Sequence, residues 1–199
     1  MEHFLKDDSD RPREKVVILN FGGQHSMLIA RRIREAGVYC ELLPFDTSWE
    51  KIKKQNPAGI ILSGSPASIY QDAAPWCDSE LFTGGIPVLG ICYGMQLLAK
   101  ELGGKVEKTR STGLGRASYA IVEAEPLFTA GFFWDDSSCG DRMSYPDEVL
   151  QPPAGFTVQA RFENGTLAAI GDHQRKIYGV QFHPEAFQTP GGSSVLHQF

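Results

Sequence analysis

The 199-residue chain lacks an uninterrupted apolar run long enough to span a bilayer. Its first fourteen residues, Met1 to Glu14, carry charges where a secretion signal would carry an apolar centre. No membrane partner is expected. Basic residues are not in excess either: 19 Lys and Arg against 24 Asp and Glu leave a net charge of -5, and no Lys/Arg cluster offers a phosphate backbone a footprint. Nucleic acid is therefore not an expected partner. Cysteine is scarce, four residues at positions 40, 77, 92 and 139 with no C-x-x-C pair, which argues against a disulfide scaffold and a zinc site and points to a reducing cytoplasm. No metal is expected. Repeats, linkers and a second composition are absent as well. The expectation is one domain over residues 15–199, preceded by a charged, loosely ordered tail over 1–14.

What is present alternates. Val16–Leu19 is a short apolar strand; Asn20–Gln24 is a turn; Ser26–Ala36 places Leu28, Ile29 and Ile33 at helical spacing before Gly37. A strand over Val38–Leu43, a short helix over Trp49–Gln55 and a strand over Gly59–Leu62 follow. This order predicts an α/β fold with an open, mostly parallel sheet. Further strands over Lys105–Lys108, Ala117–Glu123, Phe156–Phe162, Leu167–Gly171 and Ile177–Phe182 are expected to be antiparallel additions. Phe128–Pro153 reads as irregular, and Ser194–Phe199 as a final short helix.

The stretch Pro87–Ala99 organises the site. An apolar run leads to Cys92, and helix formers follow from Tyr93. Gly90 and Gly94 flank the cysteine in G-x-C-x-G, the pattern of a nucleophile elbow, in which a tight strand-to-helix turn presents one side chain. The helix N-terminus favours thiolate over thiol there. Alone, the motif leaves two readings open, a reactive thiol or a buried small residue.

A nucleophilic cysteine needs a base, and the base needs an orienting acceptor. Of five histidines, His3 and His197 lie near the termini, and His25 and His173 have no evident acidic partner at a strand end. His183 has Glu185 two residues on. If the backbone stays extended through Pro184, both side chains fall on one side and Glu185 orients the imidazole. Cys92, His183 and Glu185 are the candidate catalytic set.

Gly90-Ile-Cys-Tyr-Gly-Met-Gln96 and Gln181-Phe-His-Pro-Glu185 together resemble the class I, or triad, glutamine amidotransferase family. Within it the chain is similar to the glutaminase domains of GMP synthetases: Phe21-Gly-Gly-Gln24, the segment Leu28–Val38 and Ile61-Leu-Ser-Gly-Ser-Pro66 look like their opening turn, first helix and S-G-G-P loop. The resemblance runs from about Val16 onward. It implies the flavodoxin-like fold of that family, with helices on both faces, and a Cys-His-Glu glutaminase that supplies ammonia to a synthetase, in this case for GMP synthesis from xanthosine monophosphate. It also implies an oxyanion hole at the Ser65 and Tyr93 backbone N-H groups. Glutamine would be bound by Gly64, Gln96, Ser138, Cys139, Gly140 and Asp141. On residues alone, Gln96 reads as a solvent-facing helical position and Ser138–Asp141 as an ordinary turn.

The implied partner is an ATP-pyrophosphatase synthetase domain or subunit, with ATP and Mg expected there and no cofactor in this chain. Low resting activity until that partner docks follows from the need to deliver ammonia directly. Departures from the family pattern fall at Ser138-Cys-Gly-Asp141, at Thr112-Gly-Leu-Gly115 and at Ala186-Phe-Gln-Thr189. They leave two other readings: a stand-alone cysteine hydrolase of γ-glutamyl compounds, or a non-catalytic regulatory relative.

Overall fold

The apolar runs near the N-terminus become strands buried on both faces. A computed structural model describes residues 14–109, 115–116, 119–122, 142–143, 146–162, 164–187, 189 and 191–199. It begins with β1 (Lys15–Asn20), α1 (Ser26–Glu35), β2 (Tyr39–Pro44), α2 (Trp49–Lys54) and β3 (Gly59–Leu62). After a 3-10 turn at Ser79–Phe82 come β4 (Val88–Ile91), α3 (Tyr93–Glu101), β5 (Lys105–Lys108), β6 (Gly115–Arg116), β7 (Tyr119–Ile121) and β8 (Arg142–Met143). The chain continues through β9 (Asp147–Gln151), β10 (Thr157–Phe162), β11 (Leu167–Asp172), β12 (Ile177–Val180) and α4 (Gly192–Gln198). Of the charged tail expected over 1–14, all but Glu14 lies outside the described residues.

Strand alternation divides the core in two. Val16 and Ile18 of β1 point to the face covered by Ile29, Ala30 and Ile33 of α1 and by Val195 and Leu196 of α4. Val17 and Leu19 point to the opposite face, against Trp49 and Ile52 of α2 and Leu97 and Leu98 of α3. Helices thus cover both faces, as the resemblance implied.

The main sheet has eight strands in the order β2-β1-β3-β4-β12-β11-β10-β7. The first five run parallel, and β11, β10 and β7 continue the sheet antiparallel. Two expectations need correction. The Ile177–Phe182 strand is no antiparallel addition at the edge: β12 stops at Val180 and lies inside the sheet, parallel to β4 with Gly179 opposite Gly90 and Val180 opposite Ile91. Orientation is set by the distant partner strand, which a local residue pattern does not report. Likewise β5 does not extend the main sheet but pairs with β9 in a separate two-stranded ribbon, where Val106 meets Val149 across the strands. β9 falls inside the stretch read as irregular, where its one buried apolar residue, Val149, gave too short a pattern to detect. Among the described residues no helix is long and apolar enough to cross a membrane.

Candidate active site

Cys92 stands between β4 and α3, with φ 54° and ψ -106°. A non-glycine residue held there carries a strain of about 1–3 kcal/mol, so the surrounding structure must impose it. Two hydrogen bonds and a close approach of backbones do so. The Cys92 N-H donates to the Val180 carbonyl at 2.8 Å, which ties the elbow to β12, and the Gln96 N-H closes the first turn of α3 on the Cys92 carbonyl at 3.1 Å. The flanking glycines let the helix approach: a Cβ on Gly90 would come within 2.6 Å of the Gly94 backbone, and one on Gly94 would strike the Leu62 carbonyl. The thiol presented is nearly buried, with Cys92 only 6% exposed. The elbow expected from G-x-C-x-G is therefore formed.

The base arrives on the neighbouring strand. β12 carries the chain beside β4, and His183 follows three residues after its end. His183 Nδ1 lies 2.8 Å from Glu185 Oε1. The pair forms by a route other than the expected extension: Ala186 N-H donates to the His183 carbonyl at 3.2 Å, closing a turn that folds Glu185 back to the imidazole. With Nδ1 committed to Glu185, Nε2 is the ring nitrogen left over, and Cys92 is near enough to act electrostatically on the imidazole. Burial alone would push the His183 imidazolium down; the neighbouring Cys92 and Glu185 side chains outweigh it and raise the group to about 11. Glu185 is fully buried. Burial would raise its carboxyl, but the hydrogen bonds from His183 and His25 hold it below the ordinary carboxylate range.

Several neighbours are not legible in the sequence. His25, which has no acidic residue near it along the chain, places Nδ1 3.1 Å from the same Glu185 oxygen, and its ring meets that of His183 edge-on at 4.8 Å between centroids. Arg32 Nε donates to the Glu185 carbonyl at 3.2 Å. Gln181, 1% exposed, has its Nε2 3.9 Å from Cys92 Sγ. The pairing of His25 with Glu185 spans 160 positions, so no local motif marks it. His25, His183 and Glu185 offer three ligand-type atoms within 4.8 Å of one another, but the two carboxylate contacts have hydrogen-bond length.

The Ser63–Pro66 loop closes the site from β3. A Cβ on Gly64 would sit 3.1 Å from His183 Cε1 and 3.7 Å from Cys92 Cβ, so this loop lies directly over the reactive pair. It is fixed from below: the Phe21 N-H donates to Ser63 Oγ at 3.1 Å, Ser26 Oγ to Ser63 Oγ at 3.1 Å, and Ser63 Oγ to the Gly64 carbonyl at 3.2 Å. Ser65 accepts the Ala67 N-H at 3.2 Å. Tyr93 opens α3, so its N-H is among those with no intrahelical acceptor. Its phenol donates to the Pro75 carbonyl at 2.6 Å.

Gln96 does not face solvent. It is 1% exposed, and Nε2 donates to the Asp147 carbonyl at 2.8 Å, leaving Oε1 without a partner among the described residues. The Asp147 carboxylate in turn accepts from Ser68 Oγ at 2.9 Å and the Ile69 N-H at 2.8 Å, joining α3, β9 and the loop after β3. Ser138, Cys139, Gly140 and Asp141 lie outside the described residues, as do residues 112–114. Cys40 and Cys77 are free and buried, and burial pushes the Cys77 thiol up to about 12.

A doubly wound, mostly parallel sheet with a cysteine elbow at a strand's carboxyl end, and a His–Glu pair just beyond the adjoining strand, defines an α/β protein whose candidate site sits at the strand ends. The family model for glutamine amidotransferase class-I matches residues 17–199, and the chain belongs to that family. It is 48% identical over 191 residues to the GMP synthase [glutamine-hydrolyzing] of Caldanaerobacter subterraneus subsp. tengcongensis, covering 94% of this chain and 36% of that protein. A protein of the same name from Nostoc punctiforme is 48% identical over 194 residues, covering 96% and 34%. The chain thus spans about a third of the length of these curated relatives. Among solved structures, a putative GMP synthase subunit from Thermoplasma acidophilum superposes with a TM-score of 0.75 at 24% identity, over 94% of this chain and 92% of that one. A glutamine amidotransferase from Thermotoga maritima gives 0.62 at 18% identity, over 87% and 77%. At these identities the two structures speak for the fold.

Proposed function

We propose that this chain is the glutamine-hydrolysing part of a GMP synthase-like enzyme. The observation that carries the proposal is the meeting of Cys92, on its strained elbow, with a His183 imidazole held by buried Glu185. The Cys92 thiolate attacks the side-chain amide carbon of glutamine, forming a C–S bond. The oxyanion that develops is met by the N-H groups of Tyr93 and Ser65. His183 gives its proton to the amide nitrogen, the C–N bond breaks, and ammonia leaves a glutamyl thioester. Water then attacks the thioester carbon while His183 takes its proton; the C–S bond breaks, and glutamate departs with the thiolate–imidazolium pair restored.

Glutamine would lie over Gly64, with its amino-acid end held by Gln96 and the segment Ser138–Asp141. Ammonia would pass to an ATP-pyrophosphatase synthetase domain or subunit, where ATP and Mg are used to activate xanthosine monophosphate. The names and greater lengths of the curated relatives support that assignment.

Glutamate release from glutamine tests the reading. We expect Cys92→Ala to lower it by on the order of 10³-fold or more, because a nucleophile and its base act as a unit. Equal turnover by the parent and Cys92→Ala would refute it.

A further inference from the structure

The proposed chemistry uses one imidazole on Glu185, but the carboxylate carries two. Oε1 meets His183 Nδ1 at 2.8 Å and His25 Nδ1 at 3.1 Å, whereas Oε2 is buried without a partner among the described residues. Both hydrogen bonds therefore converge on one oxygen of a side chain with no exposure to water. The two rings stand edge to face, at 73° between planes, so each can direct an N-H at that oxygen without displacing the other. His25 stands at the N-cap position of α1, where its side chain makes no cap hydrogen bond, and Arg32 on the same helix donates to the Glu185 main chain at 3.2 Å. The helix thus grips Glu185 at both side chain and backbone.

We propose that His25 is a positioning residue of this site, holding the Glu185 carboxylate in a shared hydrogen bond so that its charge is divided between two imidazoles instead of falling wholly on His183. This inference rests on the glutaminase reading for its purpose, but not for its physics. The benefit concerns release of the proton. An imidazole gripped by an undivided, water-free carboxylate becomes a strong base and a poor acid, whereas the ammonia step needs His183 to let its proton go. A second donor on the same oxygen draws off part of that carboxylate's charge and eases the release.

Among the described residues the groups that face this cluster are few. From α1 they are His25 and Arg32, the latter also paired with Glu35 at 2.9 Å; from the turn after β12, His183 and Glu185; from the elbow, Cys92. On α4, which packs against α1, His197 is engaged with the Ser193 carbonyl at 2.7 Å.

The test removes the thiol, so that His183 titrates without Cys92, and needs no turnover. In the Cys92→Ala protein, the ring resonances of His183, labelled with nitrogen-15 and assigned by loss in His183→Gln, are followed by NMR against pH. Adding His25→Leu should raise the His183 midpoint by about one pH unit, a tenfold tighter hold on its proton. His25→Asn, whose amide nitrogen stands where Nδ1 stood, should return it toward the parent value. Because the His25 side chain is 44% exposed, neither change should disturb the core, and unchanged circular dichroism would verify that. A midpoint that stays put in His25→Leu, or that moves equally in His25→Leu and His25→Asn, overturns the proposal. Loss of glutamate release in the parent would instead strike at the glutaminase reading and leave this titration intact.

Discussion

At pH 7 the folded chain keeps on His183 a proton that a solvated imidazole has mostly given up. Folding raises that group from its ordinary 6.5 to about 11, so the folded state binds the proton more tightly than the unfolded state does. The resulting stabilisation is full below about pH 6.5 and is lost progressively as pH climbs toward about 11. Glu185 works in the other direction: its lowered carboxyl adds stability above the ordinary carboxylate range and loses it as the solution becomes acid. We therefore expect the urea midpoint of the parent to decline between pH 7 and 10, and to decline less steeply in His183→Gln, which has no proton to lose. Parallel curves for the two proteins would contradict this origin of the pH dependence.

Among the elements, the elbow depends on contact between backbones more than on side-chain packing. Gly94 lies in the first turn of α3, and a methyl group there would collide with the Leu62 carbonyl and approach Leu62 Cβ at 2.7 Å. Relief requires α3 to move off β3 and carry Cys92 with it. Gly94→Ala is accordingly expected to lower stability by about 1–3 kcal/mol in urea unfolding, an overpacking cost. A midpoint equal to the parent's would show that the helix has room to spare.

The same elements explain how far the sequence could be read. β1, β3, β4 and the elbow are local: each is a short apolar run or a glycine-framed turn whose pattern lies within a dozen residues. The His183–Glu185 pairing was legible because only two positions separate the partners, although a turn and not an extended strand joins them. The parallel placement of β12, the ribbon of β5 with β9, and the contact of His25 with Glu185 were not. Each depends on chain segments tens of residues apart, and a pattern of burial says that a strand is covered without saying by what.

For the whole molecule, the proposed reaction makes a product that solvent would protonate and dilute. A glutaminase running freely would waste glutamine. We expect this chain alone to turn glutamine over slowly, and glutamate release to rise at least about tenfold when a synthetase domain, its nucleotide and ATP are added together, as expected if docking orders the site. A rate indifferent to that addition would separate the chain from any such coupling.

One consequence lies in the place of β12. Among the described strands it is the last in sequence, yet it occupies the middle of the main sheet, between β4 and β11, and receives the Cys92 N-H on its Val180 carbonyl. During synthesis the ribosome therefore releases the thiol-bearing half of the sheet long before the strand that completes it. Until residues 177–183 emerge, β4 has one open flank and the His183 imidazole is absent. His183 lies on one of the last segments to be synthesised, so a nascent or truncated chain carries a thiol whose proposed proton acceptor has yet to arrive.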